Sequence, residues 1–419
     1  MPDDARSTEP RARSVALRAA VWFFCVLAST SILRPVRDAM GTAGGVSELA
    51  KLWKWTLALT LIASPLFAAA AARLPRRALL TRSYHAVALT LLGFLGLWHA
   101  TGESDRDALG RAFYVFVSVF NLFVVSVFWS AASDLVPHAS AVRRFGPIAV
   151  GGTLGAITGA ALTNRLAELI GAPQMLLIAA LLLELGLLAA SPLIRASDPR
   201  QLALSLPRGR AALGDLLLVL RSPMLRRIAG YVLLGTIPAA VLYFERARLV
   251  ADAALSRDER SALFASVDLW TQIATVLVQG FLTGPALRRF GPGANLAVLP
   301  LVSAATFGLV GLASHAGWPI FWIYVAGGAL IEGTRHALQK PTREVLFTLA
   351  APNERYAAKN AIDTLVHRGG DALCAEAWPR IGVTAMPLHA VLFATVPIAL
   401  AWAFVATRIG RVRRESADA

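Results

Sequence analysis

Arg195 to Arg227, RASDPRQLALSLPRGRAALGDLLLVLRSPMLRR, is the longest polar segment of the chain, and apolar sequence lies on both sides of it. A membrane span needs about 20 mostly apolar residues. By that measure about twelve spans fit, at 16–34, 49–72, 83–100, 110–135, 146–170 and 173–194 before the segment. Those after it are 227–250, 261–284, 293–314, 317–349, 356–379 and 383–407. The expected organisation is a cytoplasmic tail (1–15), a six-helix bundle (16–194), a cytoplasmic linker (195–226), a second six-helix bundle (227–407) and a basic tail (408–419).

Composition agrees with this reading. Over 419 residues, 56% are hydrophobic and 16% charged, with a mean hydropathy of +0.58, values outside the range of soluble globular domains. The net charge of +15 does not point to nucleic acid, because the arginines fall in short connections between apolar runs. Arg73, Arg76, Arg77, Arg82, Arg143, Arg144, Arg288, Arg289 and the tail Arg408, Arg411, Arg413 and Arg414 mark the cytoplasmic side. Both termini are then on the cytoplasmic side of the membrane, and GESDRD (102–107) and ADAALSRDER (251–260) face outward. The lipid bilayer is thus one partner. Cys25 and Cys374 sit in apolar runs with neither disulfide nor metal spacing, and no cofactor is implied. No nucleophile–base pair supports an enzyme.

Ionisable groups are costly in hydrocarbon and mark function or pairing. In ILRPVRD (32–38), Arg34 and Arg37 stand at the outer end of span one, with Pro35 expected to end or kink the helix between them. They form either an interfacial ion cluster with Asp38 or an anion-binding pair. Lys51 and Lys54 extend the basic patch. In span four, Phe116, Phe120 and Phe123 share a face, serving as packing or as a stacking platform. Asn121 is its polar exception and Asp134 closes it. Gly151, Gly155 and Gly159 recur every fourth residue in span five, the spacing of close helix packing. RRFGP occurs at both 143–147 and 288–292 and is read as loop chemistry. Glu184 and Asp268 are isolated acids at mid-depth, which must be protonated or paired across the bundle.

The densest charge lies in Ile331 to Asp371, IEGTRHALQKPTREVLFTLAAPNERYAAKNAIDTLVHRGGD. Trp318 to Leu349 is about 48 Å long if fully helical, against about 30 Å of hydrocarbon, so it must tilt, kink at Pro341 or protrude. Arg335, Gln339 and Arg343 form one stripe, and Glu332, His336 and Lys340 another. Lys359, Asp363 and His367 repeat at the same spacing, followed by Arg368 and Asp371. By depth, Glu332 and Arg335 are cavity candidates, whereas Arg343 and Glu344 reach the inner interface. The group is read as a gate of ion pairs, a binding site for an anionic substrate, or both.

The pieces ILRPVRD, VVSVFWSAASD (124–134), RRFGPIAVGGTLGAITG (143–159), TREVLF and ERYAAKNAIDTLVHRGGD (within 342–371) together resemble the ATP/ADP translocase family, particularly its free-living bacterial branch within the major facilitator superfamily. The resemblance implies an all-α membrane protein of about twelve transmembrane helices in two six-helix bundles, major-facilitator-like, exchanging nucleotides by alternating access. Arg37–Asp38 stands where the exchangers carry Lys-Asp, and Arg343–Glu344 where they carry Lys-Glu. Lys359 and Asp363 match a basic and an acidic residue, while an acidic residue of their fourth span falls on an apolar position near Val117. The expected substrate site is Arg34, Arg37, Lys51, Lys54, Asn121, Glu332, Arg335, Arg343, Lys359 and Asp363. Gating or coupling falls to Asp134, Glu184, Asp268, Glu344, His367, Arg368 and Asp371. The expected solute is a small anion such as a nucleotide. A proton-coupled carrier of an uncharged or amphipathic solute, and a non-transporting scaffold, remain the other readings.

Overall fold

The computed structural model describes residues 4–42, 45–135, 141–196, 212–252, 256–279, 281, 284–347, 358–359 and 361–415. Helices α1 (Asp4–Gly41), α2 (Gly45–Arg73), α3 (Arg76–Ala100), α4 (Glu103–Leu135), α5 (Ala141–Ile170) and α6 (Met175–Ala196) occupy the first half. The second half holds α7 (Ala212–Arg221), α8 (Pro223–Asp252), α9 (Arg257–Val278), α10 (Gly284–His315), α11 (Phe321–Thr334), α12 (Lys340–Phe347), α13 (His367–Arg380) and α14 (Leu388–Glu415). Among the described residues, eight helices are long and apolar enough to cross a membrane. The expected tenth and eleventh spans are instead interrupted by π-helical turns at Arg335–Gln339 and Ala361–Val366. Of the expected linker, residues 197–211 lie outside the described residues, and Ala212–Arg221 is helical.

The chain forms two compact units. One comprises Met1–Ala43, Ala58–Leu206 and Leu255–Leu269, the other Gly44–Leu57, Pro207–Ala254 and Trp270–Ala419. In the first, α1 packs against α4, α5 and α6. Lipid is as apolar as leucine, so packing of small residues, rather than expulsion of water, holds such helices together. α6 shows the consequence. Leu177, Leu181, Leu185 and Leu188 are turned outward, while Ala179, Ala180, Leu183 and Ala190 are buried. At Gly151, Gly155 and Gly159 an added Cβ would run into the backbone of Ala20, Phe24 and Ala28 on α1. The glycine ridge is therefore a seat for α1. Trp22 and Phe23 meet Phe128 at ring distances of 4.8 and 4.1 Å behind it.

Two proline expectations change. α1 continues through Pro35 to Gly41 instead of ending between the arginines. Proline costs the chain one N–H donor, toward the Ser31 carbonyl, a loss that membrane helices tolerate when neighbours pack around the freed group. At Pro341 the distortion precedes the ring. The Lys340 amide bonds to Arg335 O, five residues back, which widens the turn and spares the proline ring a clash with the carbonyl four residues earlier.

RRFGP also differs from expectation. At 143–147 it lies within α5, not in a loop. At 288–292 it spans a break in α10, where Gly291 has φ 73°, a region glycine enters without strain. Asn295 bridges that break by donating to Ala286 O at 3.0 Å and Gly291 O at 2.7 Å. In this second unit α8 and α10 pack on α14, with Tyr231 donating to Leu296 O at 2.9 Å and its ring 5.2 Å from Trp402.

Candidate functional site

In the first unit the candidate groups meet on α1, α4 and α9. Arg34 and Arg37 are one turn apart on α1, so both project toward one side. Arg34 Nη1 lies 3.2 Å from Asp268 Oδ2. Arg37 donates from Nε at 3.0 Å and Nη2 at 2.8 Å to Asp38 Oδ1, and the Asp38 side chain is only 5% exposed. The Arg37 guanidinium also stands 5.2 Å from the Tyr114 ring and donates weakly to Ser118 Oγ at 3.4 Å. Tyr114, Ser118 and Asn121 follow at i, i+4 and i+7 along one face of α4. Among the described residues, Asn121 Oδ1 is buried there without a hydrogen-bond partner.

Of the two states expected for the mid-depth acids, protonated or paired, the structure shows pairing. Asp268 pairs with Arg34 as above. Glu184 Oε1 lies 2.8 Å from His85 Nδ1, at the polar end of a groove of about 190 Å³ between α3 and α6, otherwise walled by Ala88, Leu89, Leu177 and Leu181. Phe116 and Phe120 stack at 5.9 Å within the packed core of this unit. That placement makes Phe116 and Phe120 packing material. Asp134 lies on α4, with its side chain outside the described residues.

In the second unit Lys51 pairs with Glu48 at 2.5 Å. Lys54 pairs with Glu376 at 2.6 Å, and Glu376 holds Arg380 at 2.6 Å as well. Around the first π turn, Glu332 takes Arg335 at 3.1 Å and lies 3.9 Å from His336, whose Nδ1 is 3.0 Å from Lys340 Nζ. The stripe Glu332–His336–Lys340 is thus a continuous chain of contacts. The companion stripe splits, because Arg335 folds back onto Glu332 while Arg343 reaches Asp363 Oδ1 at 2.8 Å. Asp363 lies in the second π turn, so this pair joins the two distorted segments. π turns of this kind concentrate at functional positions. One α-helical turn on, Asp371 takes His367 at 3.2 Å and Arg368 at 3.9 Å. Lys359 is half-buried, and Glu344 lies on α12 with its side chain outside the described residues.

Arg34, Arg37, Lys51, Lys54, Arg335 and Arg343 therefore each have a carboxylate within 2.5–3.2 Å. Such an arrangement can exchange counter-ions: an incoming anion takes a cation only as the internal acid lets go. Sequence reasoning missed Tyr114, Ser118, His85 and Glu376. The first two were legible as positions i−7 and i−3 from Asn121, whereas His85 and Glu376 gain their roles from distant helices. It also missed Asn164, which donates to Ala262 O at 3.1 Å and Ser266 Oγ at 2.5 Å.

No known family profile matches this sequence, and no curated protein matches it. Solved structures do. A variant of the nucleoside transporter NupG superposes with a TM-score of 0.67 at 14% identity, covering 94% of this chain and 99% of that one. An auto-inhibited peptide transporter of the POT family gives 0.66 at 13%, covering 95% and 97%. A bacterial homologue of the iron transporter ferroportin in its inward-facing state gives 0.63 at 14%, covering 94% and 98%. At such identities the likeness carries the architecture and no chemistry. The chain is an all-α membrane protein of about twelve transmembrane helices with the major facilitator fold.

Proposed function

We propose that this protein is a secondary transporter of the bacterial inner membrane, with both termini cytoplasmic, that exchanges nucleotides or another phosphorylated anion by alternating access. The observation that carries the reading is the Arg34 and Arg37 pair, two guanidiniums one turn apart within a membrane helix, each held by an internal carboxylate. A guanidinium offers a planar fork matched to phosphate oxygens. An ion-paired fork also gives an exchanger what it needs, because Asp268 and Asp38 keep the cations neutralised when no anion is bound. Tyr114, Ser118 and Asn121 line the adjoining face of α4; in the second unit, Lys51, Lys54, Glu332, Arg335, Lys359 and Asp363 are taken as further substrate-binding groups.

Arg343–Asp363 and the His367, Arg368 and Asp371 group serve in this account as gating pairs, with Asp134 and Glu344 at the cytoplasmic ends of their helices. The resemblance to ATP/ADP translocases supports nucleotides as the solute, and 195–226 as the linker between six-helix sets. The pairing of both mid-depth acids, Glu184 with His85 and Asp268 with Arg34, favours anion exchange over a proton-coupled carrier that titrates either one.

Proteoliposomes supply the test. Labelled ATP, ADP and phosphate are offered to vesicles with and without internal nucleotide, and with and without a pH gradient. Uptake that requires internal nucleotide is the expected result; uptake that follows only the pH gradient overturns the proposal.

A further inference from the structure

Glu245 on α8 is 1% exposed, and its Oε2 is buried without a hydrogen-bond partner among the described residues. The adjoining part of α8 is packed with aromatic rings. Phe244, the neighbouring residue, packs at ring distances of 4.8 Å on Trp53 and 4.9 Å on Trp378. Tyr324 of α11 faces the same region, but its hydroxyl donates to Leu242 O at 2.9 Å. The charged groups that act on Glu245 are Arg248 and Asp252 of its own helix, together with the polar Tyr324. Arg248 Nη1 stands 3.7 Å from Oε2, beyond hydrogen-bond reach, and that same nitrogen donates to Met386 O at 3.0 Å.

Asp38 shows the contrast. It is comparably buried, yet it takes two hydrogen bonds from Arg37. Asp268, Glu332, Asp363, Asp371 and Glu376 each have a base within 3.2 Å. A carboxylate taken out of water without such partners is strongly disfavoured, and neutralising it removes the cost. A proton is also the one ligand small enough to reach an atom with no exposed surface.

We propose that Glu245 is a proton-binding site and that Arg248 is its release partner. With Arg248 on Met386 O, the carboxyl group keeps its proton. When the guanidinium swings from Met386 O onto Oε2, the proton passes from the carboxyl to water along the path of the half-buried Arg248 side chain. The carboxylate left behind is then paired with the guanidinium. Return of Arg248 to Met386 lets Glu245 take a proton back from water. In transport, this step couples a proton to the moving anion, and that consequence rests on the carrier reading above.

The test uses the full chain in lipid nanodiscs, followed by infrared spectroscopy from acid to alkaline pH. Wild type should show a protonated carboxyl C=O band that Glu245→Gln lacks, and Arg248→Gln should retain the band to more alkaline pH because the carboxylate has lost its counter-ion. Identical carboxyl bands in wild type and Glu245→Gln overturn the proposal. Should Glu245→Gln fail to fold, an unaltered titration in Arg248→Gln overturns it instead. In proteoliposomes loaded with unlabelled ADP, Glu245→Gln should keep ADP counterflow at equal pH on both sides, while the change in counterflow rate that a pH gradient produces in wild type should vanish; a gradient effect as large as in wild type overturns the coupling. Wild-type vesicles without counterflow sink the carrier reading and leave the proton site to the infrared result.

Discussion

Replacing Arg37 by Gln separates a structural role for this cation from a substrate-binding one. Arg37 is 16% and Asp38 5% exposed at the side chain, so the substitution leaves Asp38 buried without the 3.0 and 2.8 Å hydrogen bonds it now accepts. Removing one partner of a buried pair costs about 3–5 kcal/mol, mostly through the uncompensated charge left behind. The cation above Tyr114 at 5.2 Å adds about 0.5–2 kcal/mol. Arg37→Gln should therefore lose roughly 3.5–7 kcal/mol of stability. Asp38→Asn in the same chain should recover most of that loss, since a neutral amide opposite a neutral amide leaves no buried charge.

Unfolding equilibria in bicelles measure the cycle, and counterflow of labelled ADP reads transport in the same four proteins. The double variant should fold and still transport poorly, because its structural defect is repaired and its cation is missing. A single Arg37→Gln variant as stable as wild type refutes the packing argument. A double variant with full counterflow refutes the assignment of Arg37 to the anion.

Further outcomes follow from other contacts. Gly155→Ala should destabilise the chain by about 1–3 kcal/mol, since its methyl group would strike the Phe24 backbone; Gly93→Ala, with nothing within 4 Å of the added atom, should be neutral or slightly stabilising, and thermal unfolding compares the two. Asn164→Ala should cost about 1–2 kcal/mol through its two lost hydrogen bonds, read by the same method. Arg343→Asp and Asp363→Arg should each abolish counterflow, and the double reversal should restore part of it, because the 2.8 Å pair survives with its ends exchanged; a double variant as inactive as either single removes that pair from the gate.

The parts of the fold legible in sequence were those written in local patterns. Apolar length marked the spans, and the four-residue glycine spacing marked a close helix contact whose partner, α1, only the structure identifies. Of the two prolines, Pro35 does not end its helix, while the irregularity expected at Pro341 is present just before it. In the structure, α1 absorbs the loss at Pro35, and a π turn anticipates Pro341 and re-phases the stripe that follows it. RRFGP is helical at one occurrence and broken at the other, so five residues did not decide their own conformation.

The charges of the candidate site were visible as residue types in the wrong place for hydrocarbon, but their partners were not. Arg34 to Asp268 and Lys54 to Glu376 join residues more than two hundred positions apart. Nothing in spacing encodes such a pair. Glu245 stands beside Arg246 and Arg248 in sequence and reads as an interfacial charge; only the fold shows that it is 1% exposed.

The most direct measurement of the carrier reading is efflux. Proteoliposomes loaded with labelled ADP are diluted into buffer with or without unlabelled ADP, at equal pH on both sides. Exchange predicts that label is retained in plain buffer and leaves rapidly when external ADP is present, and that Arg37→Gln blunts the difference. Equal loss of label under both conditions in wild type contradicts it.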